Sequence, residues 1–487
     1  MNVHIVYDDS VAVPVDVRAV MGIESFGALV YRRRTLVQAI ESVARAAGMS
    51  AVHVVRSSAQ WQALSAALDR GELSGMFLVC PANIVAAASD EDLATLFMQA
   101  RYAPGNLFYS ARRPGPWMGW ALMDATLIKA YVAQHLDGQT EAFFEAHASQ
   151  FSLVAERIDL LDLSRERALM DYLSGTFDVR HFNAIEREGY TICKRSTDAA
   201  KLKREYDFYS LLPPRMQMFF IQPFDFQEDV AGASYCMERL FIPDMAVQWL
   251  QGAYQQPEFE RFLDHVFHFL ESRVQRPVER AVALRMQEAL YATKVVERID
   301  QLKNLPEYEA LAPLLIRACG GIDRLLARYL KLFKSWRQRF PLNQLVIGHG
   351  DLCFSNILYS KTNQFMRLVD ARGASEVDDL YTDPYYDAAK LSHSVLGNYD
   401  FINHDMFDVR VDEALTLALT LDRPNYTWAR AVFNERLRRQ GFDPLLTRLC
   451  EASLFISMLP LHIDRPRKVI GFVVNAHAIV NELEAEA

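Results

Sequence analysis

The chain has 487 residues, 51% of them apolar and 23% charged, with a formal net charge of −9 at pH 7. That composition supports large buried cores and excludes wholesale disorder. At about 150 residues per domain it predicts two or three domains. The negative balance excludes a general nucleic-acid binder, whose phosphate contacts need a Lys/Arg surface.

No apolar run is expected to reach the roughly 20 residues that span a bilayer. The opening MNVHIVYDDS lacks the basic start and apolar core of a signal peptide. Cys80, Cys193, Cys236, Cys319, Cys353 and Cys450 are scattered without a CxxC pair. Neither a disulfide framework nor a zinc knuckle is therefore indicated, and a reduced cytoplasm is the expected setting. His265 and His268 stand three apart on one predicted helix with no partner ligands nearby, so they read as ordinary residues.

Residues 1–150 alternate strands (NVHIVY, SAVHVV, GMFLVC) with helices, among them RTLVQAIESVARAAG ending at Gly48. This alternation predicts an α/β layer. QTEAFFEAHASQFSLVAERIDLLDL reads as a helical connector, and the domain boundary is placed within 140–175. From 176 to about 240, FDVRHFNAIE and GYTICKRS form consecutive strands joined near Arg187–Gly189. TDAAKLKREYDFYSLL follows as a helix, capped by Thr197 or Asp198 and stopped at Pro213–Pro214. MQMFFIQPF and SYCMERLF are the next two strands. Residues 256–340 are mostly helical, as are those after a short polar stretch near 349.

That stretch is HGDLCFSN, with His349, Asp351 and Asn356 at the spacing His-x-Asp-x4-Asn. Two short strands, ILY and MRLV, follow across the turn SKTNQ and end in Asp370. A hairpin there brings Asn356 and Asp370 together, an amide oxygen and a carboxylate of the kind Mg²⁺ accepts. Asp351, on the loop before the hairpin, is placed to take the proton of an attacking hydroxyl. Phosphoryl transfer asks for that constellation.

These residues resemble the catalytic loop and metal-binding aspartate of the aminoglycoside phosphotransferase and choline kinase superfamily, small-molecule kinases with the protein-kinase fold. The resemblance covers about 170–480. It implies that Asp351 is the catalytic base, that Asn356 and Asp370 ligate Mg²⁺, and that His349 supports the loop. Asp370-Ala371-Arg372-Gly373 stands where protein kinases carry DFG. TDPYYDAAKLSHS is similar to a helix start of the same superfamily, with Asp387 bracing the loop.

A kinase also needs a strand lysine and a helix glutamate to hold it. ICKRS supplies Lys194, and Glu205 follows eleven residues later. Leu202, Glu205, Tyr206 and Tyr209 share the apolar helix face, so Glu205 needs a partner and Lys194 is the natural one. Gly175 in LSGTFDVRHFN stands where the phosphate-covering turn belongs. SYCMERLF leads into the hinge, so backbone near Met237–Arg239 would meet the adenine. Asp378, Asp379 and Asp383 read either as a holder for a cationic group or as a solvated loop.

The first 150 residues are distantly similar to sugar nucleotidyltransferases of the GT-A-like class. RTLVQAIESVARAAGMSAVHVV, GMFLVCPANIVA and WMGWALMDATLIKAY carry that resemblance. The glycine-rich nucleotide loop is absent, with Asp8, Asp9 and VAVPVDVRAVMGIESFG in its place. Asn83 stands where a metal-binding Asp is expected, and Arg32-Arg33-Arg34 offers a basic run.

The expected architecture is thus an α/β, GT-A-like first domain (1–150, degenerate) before a bilobal kinase-like α+β domain, with its smaller lobe at 165–240 and a helical lobe at 241–487. The expected activity is an ATP- and Mg²⁺-dependent kinase acting on a hydroxyl of a sugar or amino alcohol. The fused first domain points toward surface-polysaccharide assembly. The partners are a small hydroxyl compound and no nucleic acid, and a homo-oligomer is compatible with this reading. The alternatives are a nucleotide-binding pseudokinase scaffold and a bifunctional kinase and nucleotidyltransferase.

Overall fold

A computed structural model describes residues 2–31, 34–110, 117–154, 159–173, 183–411, 417–421 and 426–486, with 183–188 described by backbone alone. The chain divides into two units, Met1–Phe177 and Asp178–Ala487. Both mix helices and strands.

The first unit is built on a six-stranded sheet in the order Ala51–Val55, Val3–Asp8, Met76–Pro81, Gly119–Asp124, Leu107–Ser110, Ser152–Val154. The first three strands run parallel, and Gly119–Asp124 runs against both its neighbours. Every residue of Val3–Asp8 is buried, as a continuous apolar run in a covered parallel sheet should be. The helix Leu36–Ala46 opens on a capping box of Thr35 and Gln38. It closes with Gly48 at φ +67, where Gly48 N donates to Arg45 O and Met49 N to Ala44 O.

Where a nucleotide loop would follow the first strand, Asp9 instead ties the chain back to itself. Its carboxylate accepts from Gly27 N at 2.7 Å, Ser25 Oγ at 3.1 Å and Arg56 Nε at 3.3 Å. Asn83 donates to Asp162 Oδ1 at 2.9 Å.

The second unit begins with a four-stranded antiparallel sheet in the order Asn183–Glu188, Thr191–Ser196, Gly232–Glu238, Pro223–Asp229. The helix Ala199–Leu211 is capped by Asp198 through Lys201 N and packs Leu202 against Ala233 and Tyr235. Beyond this sheet the unit is mainly helical. In Ile322–Trp336, the residues Ile322, Leu325, Tyr329, Leu332, Phe333 and Trp336 are buried at helical spacing. A three-stranded sheet of Gln275–Pro277, Gln344–Ile347 and Tyr381–Thr382 anchors the chain on both sides of HGDLCFSN. The hairpin Ile357–Ser360 and Phe365–Leu368 follows that stretch.

Five expectations need correction. Among its described residues, the connector QTEAFFEAHASQFSLVAERIDLLDL is helical only at its start, in Thr140–Ala146 and the turn Ala148–Gln150. Ser152–Val154 adds an edge strand to the first unit's sheet, Leu160–Asp162 pairs with Ile84–Ala86, and the helix Glu166–Leu173 follows. MQMFFIQPF is not one strand, because Pro214 opens a helical turn and Phe219 and Phe220 are both buried, so the strand begins only at Pro223. The C-terminal region is not wholly helical, since Phe407–Val411 and Leu417–Leu421 pair as a hairpin.

Cys193 and Cys236, far apart in sequence, face each other directly across the sheet and form a disulfide, with Cα atoms 4.0 Å apart. Finally, Pro444–His462 is helical, long and apolar enough to cross a bilayer, and 78% of it is buried inside the protein.

Candidate active site

The register of the sheet sets Lys194 opposite Tyr235 and turns it inward, leaving it 7% exposed. Its Nζ donates to Glu205 Oε2 at 2.6 Å and to Asp370 Oδ1 at 3.1 Å. Burial works against the ammonium, but Asp370, Tyr235 and Glu205 outweigh it and raise the lysine pKa above its ordinary value. Glu205 sits on the inward face of its helix, as the spacing required.

The loop from Gly348 to Asn356 is held by two residues. His349 is fully buried, and its Nδ1 accepts Asp351 N–H at 3.1 Å while its Nε2 faces Val369 O at 3.0 Å. The first contact needs a bare Nδ1 and the second a protonated Nε2, which defines one neutral tautomer. Burial lowers the His349 pKa in agreement with that form. Its ring stacks on Phe220 with centroids 5.7 Å apart. Asp387 Oδ2 accepts His349 N at 3.0 Å and Oδ1 accepts Gly350 N at 2.9 Å, with Arg273 Nη1 3.4 Å from Oδ2. Gly350 lies at φ +79, and a Cβ there would come within 2.6 Å of Arg372 Cβ.

Asp351 projects from this loop with its side chain 43% exposed. Asn356 Nδ2 donates to its carbonyl at 2.8 Å and lies 3.3 Å from Oδ2. With Nδ2 engaged, Asn356 Oδ1 is the group left for a cation. Val369 N donates to Asn356 O at 3.1 Å, and Ile357 pairs with Leu368, so the hairpin sets Asn356 beside the turn at Asp370. Asp370 is left-handed at φ +56, a region aspartate tolerates better than most residues.

Among the described residues no group of three or more His, Cys, Asp or Glu is gathered to hold a metal. Asn356 Oδ1 and Asp370 form a donor pair that suits Mg²⁺, a cation that completes its shell with phosphate oxygens and water.

A cleft of about 40 Å³ is lined by Glu205, Phe208, Tyr235, Met237, Leu368 and Asp370. Met237 therefore faces the same space as Asp370. Arg239 N donates to Tyr190 O at 2.7 Å and its guanidinium lies over Phe241. Gly175 lies outside the described residues, as do Arg32 and Arg33.

Asp378, Asp379 and Asp383 do not act as a cluster. Asp383 is buried, accepting from Tyr291 Oη at 3.0 Å and Tyr385 N at 2.9 Å, whereas Asp378 pairs with Arg276 at 2.6 Å and Asp379 caps Ser375 N.

Sequence reasoning missed Lys390, whose Nζ is 2.8 Å from Asp351 Oδ1, and Arg273 behind Asp387. A signal for Lys390 existed. It is the one lysine or arginine in the helix YYDAAKLSHSV, three positions after Asp387.

No family model matches the chain, and no curated protein is detectably similar to it. Similar solved structures include the aminoglycoside phosphotransferase APH(3'')-Id from Streptomyces rimosus in complex with ADP and streptomycin. It is 18% identical, with 56% of this chain and 87% of that one covered and a TM-score of 0.31. A thermostable mutant of the aminoglycoside phosphotransferase APH(4)-Ia, in a ternary complex with AMP-PNP and hygromycin B, is 12% identical over 66% of this chain and all of that one, with a TM-score of 0.36. A choline kinase from Cryptosporidium parvum is 11% identical over 66% and 94%, with a TM-score of 0.29.

Proposed function

We propose that the second unit is an ATP- and Mg²⁺-dependent kinase that phosphorylates a hydroxyl of a small molecule, a sugar or an amino alcohol. The observation that carries this is the meeting of Lys194, Glu205 and Asp370, with Asp370 set beside Asn356 on the hairpin that Asp351 precedes. Positioning and charge stabilisation are most of what phosphoryl transfer asks of a protein.

In this reading Lys194 binds the α- and β-phosphates, and Glu205 holds the lysine in place. Backbone from Met237 to Arg239 meets the adenine. Asn356 Oδ1 and Asp370 would hold Mg²⁺, which when bound would supply positive charge to the phosphates. The acceptor oxygen bonds to the γ-phosphorus as the bond to the ADP oxygen breaks. The acceptor proton passes to the Asp351 carboxylate. Asp387 and His349 keep the loop in place while this happens.

A small acceptor is favoured by the brevity of the segment between Asp370 and Tyr385. That segment is occupied by a helical turn at Val377–Leu380 and a strand at Tyr381–Thr382 paired to Val346 and Ile347. It leaves little room for a peptide-docking loop.

The first unit is read as a degenerate nucleotidyltransferase-like module used for binding, docking or assembly, since Asp9 is spent on internal hydrogen bonds and Asn83 offers a neutral amide where a carboxylate is expected. Its fusion to a kinase supports a place in surface-polysaccharide biosynthesis in the cytoplasm, by association only.

The test is purified protein with Mg-ATP against a panel of sugars and amino alcohols, followed by phosphorus NMR, with Asp351→Asn in parallel. A new phosphomonoester signal that vanishes in the variant supports the kinase. ATP binding without any product favours the pseudokinase scaffold, and pyrophosphate release from an NTP favours the bifunctional enzyme.

A further inference from the structure

The two central strands of the four-stranded sheet, Thr191–Ser196 and Gly232–Glu238, pair in a register that sets Lys194 opposite Tyr235, Cys193 opposite Cys236 and Ile192 opposite Met237. The Cys193–Cys236 disulfide therefore lies one residue from Lys194 on one strand and one residue from Met237 on the other. Past Met237, Arg239 N donates to Tyr190 O at 2.7 Å, so the same strand pair also carries the backbone assigned to the adenine. A covalent link at this point joins the two halves of the proposed nucleotide site.

The link falls where Gly232–Glu238 is held least from its other side. Phe224 pairs with Cys236 and Gln227 with Ser234, so Asp225 and Phe226 together face the single Tyr235. A bulge of this kind interrupts the ladder and bends the strand that carries it. The disulfide ties Gly232–Glu238 to Thr191–Ser196 directly beside that interruption.

Access to the sulfurs is also unequal. Cys193 and Cys236 are both partly exposed, whereas Cys80, Cys319, Cys353 and Cys450 are buried. Thiol–disulfide exchange needs an attacking thiolate to reach a sulfur, so a dithiol in solution meets this pair first.

We propose that the Cys193–Cys236 disulfide is a redox switch on nucleotide binding. Its oxidised form holds Lys194 and the Met237 backbone in one geometry, and reduction by a dithiol releases them. This rests on the kinase reading for the roles of Lys194 and Met237. A thiolate of the dithiol attacks one sulfur and the S–S bond of the protein breaks. The reductant's second thiol then displaces the mixed disulfide. Two electrons and two protons pass to Cys193 and Cys236, which become thiols, while the dithiol becomes a cyclic disulfide.

The experiment compares the protein purified without reductant, the same protein treated with dithiothreitol, and the double variant Cys193→Ser/Cys236→Ser. Native alkylation with iodoacetamide, followed by peptide mass spectrometry, reports which cysteines are free. Calorimetry measures Mg-ATP affinity, and amide hydrogen exchange follows the strands. Dithiothreitol should open the bridge in the folded protein and weaken Mg-ATP binding about fivefold or more, since a less preorganised site binds less tightly. Exchange should rise across 191–196 and 232–238 but not in the helix Pro444–Met458. Reoxidation with oxidised glutathione should restore the affinity. The double variant should bind like the reduced wild type and ignore dithiothreitol.

An Mg-ATP affinity that stays within about twofold on reduction overturns the switch and leaves the kinase reading standing. A bridge that resists dithiothreitol in the folded protein overturns it too, as does finding Cys193 and Cys236 free in protein purified without reductant. Should the double variant fail to fold, the wild type decides alone, because loss of affinity on reduction and its recovery on reoxidation need no substitution. If the oxidised protein does not bind Mg-ATP at all, the kinase reading fails and the switch falls with it.

Discussion

Lys194 Nζ lies 2.6 Å from Glu205 Oε2 and 3.1 Å from Asp370 Oδ1, so one ammonium joins a strand, a helix and the turn after a hairpin 176 residues away. The two near partners differ in setting, since the Glu205 side chain is 9% exposed and that of Asp370 is 50% exposed. Deleting the lysine therefore strands a buried glutamate more than it harms Asp370. Lys194→Ala should cost about 3 kcal/mol of stability in urea unfolding, the scale for breaking a buried pair. It should also raise the ATP concentration needed for half-maximal rate about tenfold or more. An unchanged ATP requirement would remove Lys194 from the nucleotide site.

Asp351→Asn keeps the shape of the side chain and removes its ability to accept a proton. Turnover should fall by about 10²- to 10⁴-fold, the range for general-base catalysis. Mg-ATP binding, measured by calorimetry, should barely change, because in this reading the base takes the acceptor proton and is not a ligand of the metal.

Asp370→Asn separates from Asp351→Asn by its effect on binding. A neutral amide is a poorer Mg²⁺ ligand, and Lys194 loses one of its two counter-charges. Both Mg-ATP affinity and turnover should drop, and raising Mg²⁺ should recover part of the activity. EDTA should abolish turnover in the wild type. Activity that survives the chelator would end the assignment of Asn356 and Asp370 to a metal.

The arrangement of the candidate site was legible where its residues are close in sequence. His349, Asp351 and Asn356 lie within eight residues, and a single turn brings Asp370 to them. Lys194 and Glu205 were legible because an acidic residue on an apolar helix face demands a partner. Arg273 was not, since it reaches Asp387 from a helix end distant in sequence, and Lys390 left only the faint signal of a lysine three positions after Asp387. The Cys193–Cys236 pair was hidden for a related reason, because only the strand register makes residues 43 apart into direct neighbours. MQMFFIQPF misled because its apolar run is buried by a helical turn after Pro214, and a short apolar run does not reveal its period.

His393 should leave a signature in the pH dependence of stability. It is buried, neither ring nitrogen has a hydrogen-bond partner, and it packs on Tyr399 and Phe455. Burial, then Lys390, His462 and Arg448, hold its pKa well below 6.5. The unfolded chain thus binds a proton that the folded chain refuses, so His393 lowers stability as pH falls below about 6.5 and has no effect above it. Asp244 and Asp400, pushed up to about 7 by burial, slope the profile the other way, since their cost grows as pH rises from the ordinary carboxylate range toward 7. Comparison with His393→Phe cancels their part. The variant should gain about 1 kcal/mol on wild type between pH 8 and pH 5.5 in urea unfolding. A difference that does not vary with pH would mean that His393 is protonated in the fold.

Under the proposed function, Asp387 links stability to catalysis. Its carboxylate accepts two backbone N–H groups of the catalytic loop, and the guanidinium of Arg273 behind it is 5% exposed. Arg273 also donates to the carbonyls of Pro384 and Leu270, so it cannot leave when its counter-charge is removed. Asp387→Ala should therefore cost about 3–5 kcal/mol, more than three lost hydrogen bonds alone, because a charge stays buried without its partner. Adding Arg273→Met should recover much of that loss while leaving His349 N and Gly350 N unpaired. If the brace serves catalysis, the stability-restored double variant stays slow, with kcat reduced and Mg-ATP affinity near wild type. A double variant that regains full turnover would show that the loop holds its geometry without Asp387, leaving the carboxylate only a partner for Arg273.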